Sequence, residues 1–415
     1  MGKIDDANRE AYERMEKGAP AVTDIVYAKD VLPDIDKYTI GHAGPPTNWE
    51  HMCGPMRGAV MTALVYEGLA SDNEEAAELA ASGKIKFRPN HDCGSVGPMA
   101  GVTTYTMPLL EITNEAFGNK VYIGINEGDI RAMCFGSDDP VVIPRLNWFR
   151  DEFAPYFKEA LADHGPVSLR PIVAQALTMG EDEHNRTFAS SAIFYKEITP
   201  SLVKVIKDHD ALERIMNFMA GNDYFFLALS MAYGKAIADT IKNIPNCTIV
   251  STMSRNGTDF GIKVSALGER WFTAPCPPVI GLYFPGFSEK DANPDIGDSC
   301  ITETVGLGGL SMGAAPSLIN CFNEDDVEAA YAITREMLEI TEDVSKDLVL
   351  PPMNFQGIPM GIDIRKVIET GIQPVINTGI AHKDPHFGQI GVGISRAPME
   401  CFTQALAAFA EEYGV

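Results

Sequence analysis

The chain has 415 residues, too many for one ordinary hydrophobic core, so two or three packed units are expected. Apolar residues make up 45% and charged residues 22%, globular values that argue against a disordered or fibrous class. A formal net charge of −24 argues against nucleic acid as a partner but leaves small anionic substrates open, because local arginines and backbone N–H groups hold those.

Met1 to Asp6 has neither an apolar core nor a small-residue cleavage site, so no signal peptide is expected there. Thr23–Tyr27 and Tyr38–Ile40 read as short strands, the second running into the turn-rich Gly41–Pro46. A helical pattern follows over 56–70. The apolar runs 108–113 and 120–125, joined across Phe117-Gly118-Asn119, predict a β-hairpin. From Arg145 to Lys242 helical spacing dominates: Leu146, Phe149, Phe153 and Phe157, then stretches over 172–179, 188–198 and 224–241. Prolines 155, 166, 171 and 200 are expected to divide this region into separate helices. After Pro245, strands return at 248–253, 261–265 and 271–273, followed by a loop-rich section over 275–313. A charged helix over 323–342, strands at 375–377 and 390–394, and a closing helix over 399–412 complete the chain. The acidic runs 72–78 and 324–328 read as solvated faces.

Strands and helices mixed with a hairpin predict an α+β fold. Two mixed α/β regions, residues 1–145 and 246–415, are expected to flank a small all-helical domain over 146–245. The longest apolar run, Tyr224–Tyr233, is about half of what a membrane-spanning helix needs, so no membrane association is expected. Eight cysteines form no Cys-x-x-Cys pair, which points to reduced thiols in a cytoplasmic protein.

The chemical signal lies in short polar clusters among glycines and prolines, where backbone can approach a ligand closely. His382, Asp384 and His386 carry ligand-type side chains, but their spacing fits no zinc signature and Pro385 interrupts it; neither a metal nor a cofactor is expected. Asp295 and Asp298 could hold magnesium through a phosphate, or simply form a turn. Gly306–Gly309 lacks the Lys-Ser/Thr of a phosphate loop. Cys93 beside His91 reads as an incidental thiol.

In order along the chain stand His-Ala-Gly-Pro-Pro (42–46), Trp-Glu-x-Met-Cys-Gly-Pro-Met-Arg-Gly-Ala (49–59), Gly-Pro-Met-Ala-Gly (97–101), Asn-Glu-Gly (126–128), His-Asn-Arg (184–186), Arg-Asn-Gly-Thr (255–258), Asn-Pro-Asp-Ile-Gly-Asp-Ser (293–299), Ile-Thr-Glu-Thr (301–304), Asn-Thr-Gly-Ile-Ala-His (377–382) and Arg-Ala-Pro-Met-Glu-Cys-Phe (396–402). This succession resembles the YlbE-/YahG-like family over roughly residues 20–410. The resemblance implies an α+β fold with a small helical domain. It also implies a role as the G subunit of an oxamate carbamoyltransferase, working in an oligomeric complex with an FdrA-like F subunit and an H subunit. That complex would interconvert carbamoyl phosphate plus oxamate with oxalurate plus phosphate, a step in allantoin use, or act on a related carbamoyl acceptor.

Two anionic substrates need cationic and N–H donors, the tetrahedral transition state needs fixed donors at its oxygen, and a weakly nucleophilic amide needs a base. On the clusters, Arg57, Arg186, Arg255 and Arg396 are the anion-binding candidates, joined by Glu303 and Asn377 for substrate contacts. His42, His91, Glu127 and His382 are the acid–base candidates. The clusters are expected to meet in one pocket between the first and last regions, with Arg57 and His91 near Arg255, Glu303 or His382. Replacing Arg255 would then weaken anion binding with little loss of stability. A non-catalytic assembly subunit and, more remotely, a metal-dependent amidohydrolase are the competing readings.

Overall fold

The computed structural model describes residues 2–322 and 326–414. The chain is α+β, with its strands gathered into several small sheets. The first region runs α1 (Lys3–Lys17), β1 (Pro20–Tyr27), α2 (Ala28–Val31), β2 (Thr39–His42), α3 (Gly54–Tyr66), α4 (Asn73–Ala81), β3 (Lys86–Pro89), β4 (Ser95–Val96), β5 (Pro108–Asn114) and β6 (Lys120–Gly124). β5 and β6 form the expected hairpin, and Gly118, at φ +78°, supplies its turn. With β1 and β7 (Val167–Ser168) they build a sheet of order β4-β6-β5-β1-β7.

The helical stretch contains α5 (Val142–Trp148), α6 (Ala154–His164), α7 (Arg170–Thr178), α8 (Phe188–Val205), α9 (His209–Gly221) and α10 (Phe225–Ala238). Every residue of α10 is buried, as a helix apolar on all sides requires, which is why its sequence is the most apolar in the chain. It packs on β1, β5 and β6 on one side and on α8 on another. Phe149, Phe153, Phe157, Phe194 and Phe225 interleave beside it. Two of the four prolines do not break the helices as expected. A π turn over Phe149–Phe153 carries the helix from α5 into α6 through Pro155, and Pro200 lies inside α8 on its exposed side. Helix α9 has no counterpart among the sequence expectations.

The last region holds β8 (Val250–Asn256), β9 (Asp259–Val264), β10 (Phe272–Pro275), β11 (Ile280–Tyr283), β12 (Ile296–Gly297), α11 (Ile301–Thr304), α12 (Val327–Glu339), β13 (Thr341–Leu350), β14 (Gln356–Ile362), α13 (Ile364–Thr370), β15 (Val375–Ala381), β16 (Gln389–Arg396) and α14 (Met399–Tyr413). Three sheets result: β10-β9-β8-β12, β11-β16-β15 and the β13–β14 ribbon. The section 275–313, expected as loop, carries β11, β12, α11 and several 3₁₀ turns. The charged helix ends at Glu339 because Thr341 already begins β13; residues 323–325 of that expectation lie outside the described residues.

One large apolar cluster joins the first two regions and takes in Ile296, Ile301, Val305, Leu348 and Met360 from the last. A second, between β8–β9 and α12–α14, begins at Val250. Helix α1 ties the ends of the chain together: Asn8 is buried and donates to Thr248 Oγ1 (2.9 Å) and Asp363 Oδ2 (3.0 Å), and Arg9 pairs with Asp343 (2.6 Å). Among the described residues no helix is long and apolar enough to cross a membrane.

Candidate functional site

Short turns place charged side chains inside the protein where the regions meet. Asp298, fully buried after β12, accepts Gly44 N–H (2.9 Å), Gly97 N–H (3.0 Å), Asn90 Nδ2 (3.0 Å) and the Ser254 hydroxyl. Burial pushes its carboxyl up to about 6 although all four donors favour the charged form. Gly44 is required there: at φ +83°, a Cβ would lie 2.3 Å from the Asn256 nitrogen. The clusters at 42–46, 90–101, 254–256 and 295–299 therefore share one carboxylate.

Ser299 leads into the second half of the network. Arg255, completely buried on β8, donates to Gly297 O (2.8 Å), Ser299 Oγ (3.0 Å) and Thr378 Oγ1 (2.8 Å), and its Nε lies 3.0 Å from Asp295 Oδ1. On α11, Glu303 accepts Gly309 N–H (2.9 Å), Asn377 N–H (3.1 Å), Thr302 Oγ1 (2.9 Å) and His184 Nδ1 (2.8 Å). Gly308 makes this possible, since a Cβ there would fall 2.0 Å from Glu303 Oε1. A carboxylate only accepts, so His184 Nδ1 carries the proton and Nε2 is left as the basic ring atom. Asp182 fixes the turn that presents His184: it accepts Asn185 N–H (3.1 Å), Arg186 N–H (2.8 Å) and Asn377 Nδ2 (2.6 Å). Glu183, at φ +65°, is buried with no side-chain hydrogen bond, and burial holds its carboxyl well above the usual range.

His184 opens onto a narrow cleft of about 410 Å³, mouth included. Pro98, Met99, Asn185, Tyr224, Ser299, Thr378, Gly379 and Val392 are among the residues of its wall. The segments 98–99, 184–185, 299 and 378–379, remote in sequence, thus meet at this cleft. Its partner Glu303 was among the candidate residues, while His184 itself was singled out only as part of the His-Asn-Arg cluster.

The other candidates lie elsewhere or are otherwise engaged. His42 is buried with Nδ1 2.8 Å from Ala43 O, and burial pushes its imidazole down to about 4. His91 lies 3.5 Å from Asp298 Oδ1, on the network but not on the cleft wall. Glu127 lines a separate, mostly apolar cavity with Tyr66 and Phe149; burial pushes it up to about 7 against the pull of Arg145. His382 lies against the Phe387 ring, tilted with centroids 4.1 Å apart, and His386 is mostly exposed with Nδ1 2.6 Å from Asp138. Arg57 donates to the carbonyls of Trp49 and Glu50, and Arg396 pairs with Glu336 (2.9 Å), both away from the cleft. Asn377 touches the site through Glu303 and Asp182. Arg186 has its guanidinium over the Phe188 ring (5.4 Å), which meets Tyr224 of the cleft wall edge-on.

A family model described as oxamate carbamoyltransferase subunit AllG matches residues 85–299. The oxamate carbamoyltransferase subunit AllG of Escherichia coli K12 is 43% identical over 415 residues, 99% of both chains. The uncharacterized protein YahG of the same strain is also 43% identical, over 100% of this chain and 87% of YahG. A crystal structure of a conserved protein of unknown function from Enterococcus faecalis V583 matches with a TM-score of 0.96 and 42% identity, covering 99% of this chain and 98% of that one. With sequence and fold matched from end to end, this chain belongs to the AllG/YahG family.

Proposed function

We propose that this chain supplies the acid–base part of a carbamoyl-transfer site in a complex that interconverts carbamoyl phosphate plus oxamate with oxalurate plus phosphate. The name of the relative AllG supports carbamoyl transfer involving oxamate; the observation that carries the site is His184, held by Glu303 at a cleft where four remote segments meet. In the forward direction the oxamate nitrogen attacks the carbamoyl carbon, and His184 Nε2 takes the proton that this nitrogen loses. The C–N bond forms, the C–O bond to phosphate breaks, and the proton passes to the departing phosphate. Ser299 accepts from Arg255, so its own O–H is free to donate to the oxygen on which charge develops. Arg255 thus acts through Ser299 rather than on the substrate.

Arg186, whose Nε is buried without a hydrogen-bond partner, sits beside the cleft wall. It is the anion-binding residue in this reading. The cleft wall itself contains no lysine or arginine, although two anions must be held. The remaining positive charge comes from the partner subunits, of the FdrA-like F and H types, so the site is shared. His184→Ala in the assembled complex should lower turnover by about 10²–10⁴-fold while assembly is kept. An unchanged rate would make the chain an assembly subunit instead. The chain alone should show almost no transfer; efficient turnover without partners would exclude a shared site.

A further inference from the structure

Three lysines gather at one place on a chain whose net charge is −24. Lys235 on α10 and Lys263 on β9 are each only 1% exposed at the side chain, and Lys242 is 21% exposed. Asp239 pairs with Lys235 (2.9 Å) and Lys242 (3.1 Å), and Asp92 with Lys263 (2.5 Å). That leaves one positive charge in excess, and it is met from outside. Glu269, 58% exposed on the turn after β9, places one carboxylate oxygen on Lys263 and the other 3.4 Å from Lys242.

Asp239 and Asp92 already pair the two buried ammonium groups, and to that the exposed Glu269 adds little stability. Behind the lysines lies His91, 2% exposed, with no hydrogen bond from either ring nitrogen. Its carbonyl oxygen is 3.4 Å from Lys235 Nζ, and its ring meets Trp271 edge-on at 6.2 Å. Trp271 in turn lies under the Lys263 ammonium, 4.7 Å away. The position is therefore reached from solvent, floored by buried cations, and filled by a carboxylate on an exposed side chain.

We propose that Lys242 and Lys263 form a binding seat for a small oxyanion, a phosphate or carboxylate group, which Glu269 occupies as a tethered stand-in. An arriving oxyanion displaces the Glu269 carboxylate and takes over its two ammonium contacts. The seat does not depend on what the His184 cleft does.

The full chain would be titrated with inorganic phosphate and, separately, with acetate, at constant ionic strength to remove general screening. Trp271 fluorescence and calorimetry are the readouts, with Trp271→Phe as the optical control. A saturable response is expected. Glu269→Gln should tighten it by about tenfold and Lys242→Met weaken it by about tenfold, the scale of one charge-assisted hydrogen bond. Lys242 is partly exposed, so this variant remains informative if Lys263→Met fails to fold. Saturation by phosphate alone assigns a phosphate seat, and by acetate as well a carboxylate one. No saturable response in either wild type or Glu269→Gln, or unchanged binding in Lys242→Met, would overturn the proposal.

Discussion

Asp298 gathers donors from Gly44, Asn90, Gly97 and Ser254, so one carboxylate fixes three remote turns to the start of α11. Its folded value near 6 stands above its ordinary 3.8, so its stabilising contribution is complete below about pH 4 and is lost as pH rises to about 6. Relative to Asp298→Asn, wild type should therefore lose up to about 3 kcal/mol of unfolding free energy across that window, as measured by urea unfolding at successive pH values. A difference that stays flat from pH 4 to pH 6 would refute this. Arg255 behaves unlike the exposed anion binder that its Arg-Asn-Gly context suggests. Its guanidinium is held inside the protein by three hydrogen bonds and the ion pair with Asp295, so Arg255→Ala should destabilise the fold by about 3–5 kcal/mol by leaving Asp295 buried without its ion-pair partner. The sequence shows which polar residues stand beside glycines. It does not show that Arg255 meets Thr378 across 123 positions, or His184 meets Glu303 across 119, and those contacts decide which residue is structural and which faces a ligand.

At the level of elements, the legible parts are those determined locally. The β5–β6 hairpin carries its own turn, and α10 carries its own apolarity, so both are readable from sequence. The β13–β14 ribbon is not, because β13 includes Glu342, Asp343, Lys346 and Asp347 and owes its burial largely to α7 and α1, both remote from it in sequence. Pro200 misleads for the opposite reason. Its neighbours Ile198, Ser201 and Leu202 are buried against the rest of the helical region, and that packing carries α8 past a residue which breaks the i→i−4 ladder. Pro200→Ala should restore the bond to the Lys196 carbonyl and raise stability by about 1 kcal/mol or more, visible as a higher Tm. A lower Tm would show that the proline's restriction of the unfolded chain matters more.

For the molecule as a whole, the three regions visible in the sequence share apolar core. Ile296, Ile301 and Leu348 pack with residues from the first 249 positions, and Ile4 of α1 packs against the cluster that begins at Val250. Thermal or urea unfolding of the intact chain should therefore be a single transition with coincident far-UV and tryptophan signals. Two resolved transitions would mean that the regions fold apart. The position of α1 also bears on how the protein is made. Arg9 meets Asp343 across 334 residues of chain, and Asn8 meets Asp363 across 355. At ribosomal rates of about 5–20 residues per second, α1 leaves the exit tunnel roughly 17–70 seconds before those partners have been synthesised. Throughout that interval its apolar side, Ala7, Ala11, Tyr12 and Met15, lacks the strands that finally cover it. Helix α1 thus docks long after its own translation, and during synthesis it is a natural client for chaperones that hold nascent chains.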